Sequence, residues 1–227
     1  LPELDAAVGI ASWDNIASVL DLVLDQEKPE VFLDKNRLFY SEGRILTTPG
    51  GYGYLKIAEG CDKNCTYCII PKIRGSYRSF PMETLVKEAQ DLVSSGVREL
   101  ILVAQETTLY GTDIYGKKAL PDLIRVLSLI PDLQWIRLTY CYPEEINDEL
   151  ISLFRKEPKL IPYLDIPVQH FSDTILKRMN RHYTKEQFIA LALKIREQIP
   201  DVSVTTDIIV GFPGETEAEF EETLAFA

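Results

Sequence analysis

The chain has 227 residues, 46% hydrophobic and 26% charged, with 24 basic side chains against 35 acidic ones for a net charge of −11. That apolar content suffices for one large α/β core or two smaller ones, and ordinary Gly and Pro usage excludes collagen-like and low-complexity chains. No apolar run reaches the roughly 18 to 20 residues that cross a bilayer, and the start Leu1-Pro2-Glu3-Leu4-Asp5 lacks a leader pattern, so a cytoplasmic chain without a membrane span is expected.

Trp13 to Leu24 patterns as a helix. From there to Gly53 the chain reads as hairpin or linker, with turn signals at Ser41-Glu42-Gly43 and Pro49-Gly50-Gly51. Strand-like runs follow at Tyr54 to Ala58, Glu99 to Ala104, Gln134 to Thr139, Tyr163 to Val168 and Val202 to Val210. The clearest intervening helix is Met82 to Ser95, whose stripe Leu85, Val86, Ala89, Leu92 and Val93 stops at Gly96. Others begin near Leu120, Glu144, Asp173 and Lys185, and a last one from Thr216 to Ala227 opens with a Thr216/Glu219 capping box. Repeated strand-helix units require a parallel sheet with right-handed crossovers, either a β/α barrel, whole or partial, or a doubly wound sheet. Patterning does not separate the two. Residues 1–50 are expected to be the tail of a preceding domain plus linker, and 51–227 a core whose final helix stops without a cap.

Chemistry concentrates just after the first strand, in Glu59-Gly60-Cys61-Asp62-Lys63-Asn64-Cys65-Thr66-Tyr67-Cys68. Three of the four cysteines fall within eight positions here, which points to ligation in a reducing compartment rather than to a disulfide scaffold. Thiolates at this C-x3-C-x2-C spacing can share an iron-sulfur cluster and leave one iron of a four-iron cluster open to a small molecule. A structural zinc site completed by Cys141 or His170 is the alternative, although the paired spacings usual for zinc are absent. His170 and His182 are otherwise expected to be structural. Gly211-Phe212-Pro213-Gly214-Glu215-Thr216 lacks the Lys-Ser/Thr pair of a Walker motif and reads as a turn.

The spacing, with an aromatic residue before the last cysteine, resembles the signature of radical S-adenosylmethionine enzymes. The resemblance implies a full or partial (β/α)6 barrel in which Cys61, Cys65 and Cys68 ligate a 4Fe-4S cluster. S-adenosyl-L-methionine would chelate the open iron and be cleaved to a 5'-deoxyadenosyl radical. It further implies that Tyr67 lies near the adenine and Gln105 near the methionine part. Gln169 and Arg181, twelve residues apart, would contact the ribose region and carboxylate of the cosubstrate, Asp207 would be a second ribose contact, and the Gly211 turn would pack near the adenine. Each has a plain alternative. Gln105 can cap a loop, Arg181 can pair with Glu186, and Asp207 can be an ordinary strand-end carboxylate.

Ile69-Ile70-Pro71-Lys72-Ile73-Arg74-Gly75, Arg78-Ser79 and the Gly211 to Thr216 turn are similar to the methylthiotransferase branch. That branch adds an N-terminal domain with a second 4Fe-4S cluster and a C-terminal TRAM barrel. Both are expected to lie outside this chain, as is a sixth strand, so the chain alone is not expected to complete methylthiolation. Gln105 to Asp113, Thr139-Tyr140-Cys141-Tyr142-Pro143 and Gln169-His170 resemble members that modify an aspartate of ribosomal protein S-twelve, rather than the tRNA-modifying members. The implied partners are that protein on the small ribosomal subunit and an electron-donor protein. The acidic charge agrees with a basic protein target and makes nucleic-acid binding by this chain unexpected. A metal-stabilised binding scaffold is the non-enzyme alternative.

Overall fold

The computed structural model describes residues 4–25, 44–48 and 50–226. Most of the expected hairpin or linker, including the Ser41-Glu42-Gly43 turn, lies outside the described residues. A 3-10 helix, Ile10–Asn15, leads into α1 (Ile16–Leu24), with a non-helical break at Ser12, so the first helix is shorter than its sequence pattern. Next come β1 (Tyr52–Lys56), β2 (Ala58–Glu59), α2 (Ile70–Arg74), β3 (Arg78–Ser79), α3 (Met82–Ser94) and β4 (Glu99–Val103). The remainder is α4 (Thr112–Tyr115), α5 (Leu120–Ser128), β5 (Trp135–Leu138), α6 (Asp148–Lys156), β6 (Tyr163–Asp165), α7 (Asp173–Arg178), α8 (Lys185–Gln198), β7 (Ser203–Thr205) and α9 (Glu217–Phe226).

β4 lies between β1 and β5, parallel to both, pairing Leu55 with Leu102 and Leu100 with Ile136. The arc continues through the Ile136–Leu160 bridge, where the Ile136 N–H donates to Lys159 O at 2.7 Å, and then through β6 paired in parallel with β7. The long strands therefore stand side by side in chain order, with α3 packed on α5, α5 on α6 and α6 on α8. A doubly wound sheet would reverse its strand order partway. Chain order throughout makes this an arc of a β/α barrel.

Alternation along the strands sets the two faces. Leu55, Leu100, Leu102, Ile136, Leu138 and Leu164 are completely buried in one core with Leu85, Ala89, Leu123, Leu127 and Phe154 of the surrounding helices. Lys56, Ile101, Val103, Arg137 and Tyr163 point the other way; Lys56 is exposed and the other four are half-buried. That half-open inner face ends at the rim where the site lies.

Three local departures from the sequence pattern have identifiable causes. The helix expected from Glu144 begins only at Asp148, because Pro143–Glu145 is a 3-10 turn that runs into extended Ile146 before Asn147 caps Leu150 N at 2.9 Å. β7 is three residues long because past the Ile166 N–H bond to Thr205 O the ladder is interrupted, Val168 N–H donating to the Thr206 hydroxyl at 3.1 Å, and pairing resumes only at the single Gln169–Ile208 bridge. The short β2, β3, α2 and α4 carry too few residues for a periodic signal. The Thr216 capping box is present, with Thr216 N–H donating to Glu219 Oε2 at 2.9 Å and Glu219 N–H to Thr216 Oγ1 at 3.4 Å. Among the described residues no helix is long and apolar enough to cross a membrane.

Candidate functional site

β1 delivers the chain to Gly60, whose φ of 82° turns it into the cysteine loop. A side chain there would place its Cβ 2.1 Å from Ser76 O, so only glycine fits. The Gly60 N–H donates to Gln105 Oε1 at 2.8 Å, tying the loop to the end of β4. Cys61 N–H donates to Gly75 O at 3.2 Å and Asp62 accepts from Tyr77 N at 3.2 Å.

On its other side the loop leans on the chain after α7. Thr66 Oγ1 donates to Arg178 O at 2.9 Å, Thr66 N–H to Met179 O at 3.1 Å, and Asn180 Nδ2 to Asn64 O at 3.1 Å. Lys63 pairs with Glu144 at 3.2 Å and with Glu145, which also holds Lys118 at 2.7 Å. Glu59 is held by Lys56 at 2.9 Å and Arg74 at 2.7 Å. Burial works to raise the Glu59 carboxyl, but those two cations prevail and keep it below the usual carboxylate range.

All four cysteines are free. Burial pushes the Cys61 thiol up to about 11, with Cys65, Glu106 and Cys68 adding to the rise and the Lys63 backbone N–H opposing it. At neutral pH such a group ionises only beside added positive charge, which a metal cluster supplies. Among the described residues no three His, Cys, Asp or Glu side chains gather tightly enough for one metal ion. In a four-iron cluster each cysteine takes a different iron, so three thiols spread along one loop fit that group better than a single zinc. The proposed zinc partners are also engaged elsewhere. Cys141 is buried against Thr107 Oγ1 at 3.6 Å, while His170 is enclosed by Ser172, Thr223 and Glu215, with Nε2 3.2 Å from Glu215 Oε1.

A cavity of about 380 Å³ opens beside the loop, lined by Cys61, Cys68, Gln105, Lys56, Tyr140 and Tyr142 among others. Tyr67 lies with Cys65 and Cys68 on a neighbouring hollow of about 300 Å³. The remaining expected contacts are placed differently. Gln169 and Asp207 are joined through the backbone, Gln169 N–H donating to Asp207 O at 2.8 Å, and Asp207 is exposed. Neither lines the 380 Å³ cavity, and nor does Arg181. Arg181 is buried against Cys65 and does not form the ion pair with Glu186 that its sequence also allowed. Gln105 both lines the cavity and caps the loop.

Three side chains to which the sequence assigned no role, two of them inside its motif strings, also stand at this rim. Tyr142 forms a cavity wall and approaches the Cys65 sulfur at 3.5 Å. Asp165, at the end of β6, accepts from Tyr140 N at 3.0 Å and is raised by burial and by Asp207. Glu106 is fully buried, its Oε1 accepting from Thr108 N at 2.9 Å and from the Thr108 hydroxyl, while Oε2 has no partner among the described residues. Burial raises its carboxyl to about 7, against the opposing Thr108 hydrogen bonds. The strand-end position of each residue was the available signal.

A strand-order barrel arc with a three-cysteine loop after its first strand defines a cluster-binding β/α enzyme fold. The family model described as the Radical SAM superfamily matches residues 55–227, and the chain belongs to that superfamily. It is 57% identical over 222 residues to "Ribosomal protein uS12 methylthiotransferase RimO" of Lachnoclostridium phytofermentans, covering 97% of this chain and 50% of that protein. The protein of the same name from Clostridium tetani is 45% identical over 227 residues, covering 100% of this chain and 51% of the relative. The chain thus spans about half the length of these relatives. Among solved structures it is similar to the radical S-adenosylmethionine methyltransferase TsrM of Kitasatospora setae, bound to cobalamin and a [4Fe-4S] cluster. That likeness has a TM-score of 0.63 at 20% identity, covering 78% of this chain and 34% of the other, and supports the fold.

Proposed function

We propose that this chain carries the radical domain of a methylthiotransferase acting on the β-carbon of an aspartate in ribosomal protein uS12. The observation that carries the reading is the 57% identity over 97% of the chain with a uS12 methylthiotransferase. Residues 51–227 are the catalytic core in this reading, and 1–50 are the end of a preceding domain in which a second 4Fe-4S cluster is carried.

Cys61, Cys65 and Cys68 would hold a 4Fe-4S cluster, which together with S-adenosyl-L-methionine would supply reductive cleavage of the sulfonium and a hydrogen-abstracting radical. The chain's own residues prepare the space for it. Gln105 fixes the loop through Gly60 and faces the cavity from the end of β4, where the methionine part would lie. Tyr67 offers a ring beside Cys65 and Cys68 for the adenine, and Gln169 and Asp207, joined backbone to backbone at adjoining strand ends outside the 380 Å³ cavity, would serve the ribose. Val103, Ala104, Ile70 and the rings of Tyr140 and Tyr142 make the cavity mostly apolar, which limits water and favours holding cosubstrate and target carbon in contact.

Electrostatics support a protein target, because a net charge of −11 complements a basic ribosomal protein better than a phosphate backbone. The electron donor is a separate reducing protein, and the reaction takes place in the cytoplasm, where ribosomes are met. Mass spectrometry of ribosomal proteins and of digested tRNA from cells with and without the gene tests this directly. Loss of a methylthio group from uS12 is expected; its loss from tRNA nucleosides with uS12 unchanged would transfer the chain to the tRNA-modifying branch.

A further inference from the structure

Resting on the reading that the cysteine loop carries a four-iron cluster, we propose that Tyr142 and Arg181 are positioning residues for it. Both donate to the Cys65 sulfur and hold the cluster's reduction potential up.

Arg181 carries a buried charge that no carboxylate neutralises among the described residues. Arg181 is 6% exposed, and a guanidinium does not lose its proton in a protein. One nitrogen, Nη2, donates to Pro167 O at 2.6 Å and Nε to Tyr183 OH at 3.4 Å. Its plane lies 4.2 Å from the ring centroid of Tyr142 and 5.3 Å from that of Tyr183. Among the described residues no carboxylate pairs with it. A buried cation satisfied only by neutral groups is costly, so an anion is expected at its free edge. That edge is occupied by sulfur. Nη1 points at Cys65 Sγ from 3.7 Å, and the Tyr142 hydroxyl stands 3.5 Å from the same atom. As a thiol, Cys65 could give or take either bond. As a cluster-bound thiolate it only accepts, which completes the neutralisation of Arg181.

Tyr142 is central to the arrangement. Its ring carries Arg181 and, at 5.2 Å, the ammonium of Lys63, while its hydroxyl meets the sulfur. Cys61 has instead a backbone donor, Lys63 N–H at 3.5 Å. Reduction of the cluster by one electron from an external reductant such as dithionite makes or breaks no covalent bond, but it increases negative charge on the sulfurs. Donors and a fixed cation at Cys65 therefore favour the reduced form, as hydrogen bonds to cluster sulfurs do in general. This assignment differs from the cosubstrate-carboxylate role that resemblance implies for Arg181.

The test is an EPR-monitored redox titration of the reconstituted protein, following the cluster whose signal changes when S-adenosylmethionine is added. Tyr142→Phe removes the hydroxyl and keeps the ring under Arg181; Arg181→Lys keeps the charge and loses the planar fork; Arg181→Gln loses the charge. The Tyr142→Phe variant is expected to disfavour reduction by about tenfold, a fall of about 59 mV for a one-electron couple. Arg181→Gln should fall further, and Arg181→Lys should recover part of the difference. An unchanged potential in Tyr142→Phe overturns the proposal, as does unfolding of that variant, which would make the hydroxyl structural. If Tyr142→Phe is folded but loses iron, Cys65 positioning is supported. Weakened cosubstrate binding with unchanged potentials in both Arg181 variants would return Arg181 to the carboxylate role. A wild-type protein that takes up no iron would instead defeat the cluster reading itself.

Discussion

At the scale of single residues, the three loop cysteines differ from the fourth in surroundings as well as in spacing. Cys141 lies under Thr107, and burial pushes its thiol up to about 12. Alanine at Cys61, Cys65 or Cys68 is expected to cut iron uptake on reconstitution sharply, whereas Cys141→Ala should bind the wild-type amount; iron analysis of the four variants checks this. Glu106 gives a second expectation. Its carboxyl is raised from 4.5 to about 7 in the folded protein, so between those values the native state binds more protons than the unfolded chain. Stability from this group is therefore present below about pH 4.5 and lost as pH rises through 7. At 1.36 kcal/mol per unit the loss approaches about 3 kcal/mol. Thermal unfolding of the iron-free protein should show Glu106→Gln gaining on the wild type from pH 5 to pH 8, and a constant difference across that range would contradict the assignment.

At the scale of elements, the loop depends on one backbone position. Gly60→Ala must accommodate a Cβ 2.1 Å from Ser76 O at a φ of 82°. A positive φ alone costs roughly 1–3 kcal/mol for a side-chain residue, and the clash adds to it. The variant should melt several degrees lower and take up less iron, as calorimetry and iron analysis would show. The long strands and α3 were legible because alternation and the Leu85-Ala89-Leu92 stripe persist over several residues. The cysteine loop was legible from spacing alone. Its supports were not, since Lys63 meets Glu144 and Asn180 meets Asn64 across more than 80 positions of sequence. The position of Arg181 beside Cys65 was hidden for the same reason. Motif resemblance named the residue, and only the fold shows that its side chain turns to sulfur and two tyrosine rings.

For the whole molecule, strand order decided what patterning left open, because neighbours in chain order close toward a barrel and place the strand ends of β1, β4 and β5 around one cavity. The surface charge of −11 bears on association rather than on chemistry. Binding to a basic partner should slow as salt shortens the Debye length from about 10 Å to about 3 Å, measurable by stopped-flow or surface-capture kinetics. A salt-independent rate would remove electrostatic steering from the account. Whether this barrel rim holds an open four-iron cluster and cleaves S-adenosylmethionine is decided by anaerobic reconstitution with iron and sulfide, followed by reduction in the presence of the cosubstrate. A brown protein is expected, whose absorbance bleaches on reduction and which releases methionine and 5'-deoxyadenosine; a colourless, zinc-loaded protein that leaves the cosubstrate intact would overturn the cluster assignment.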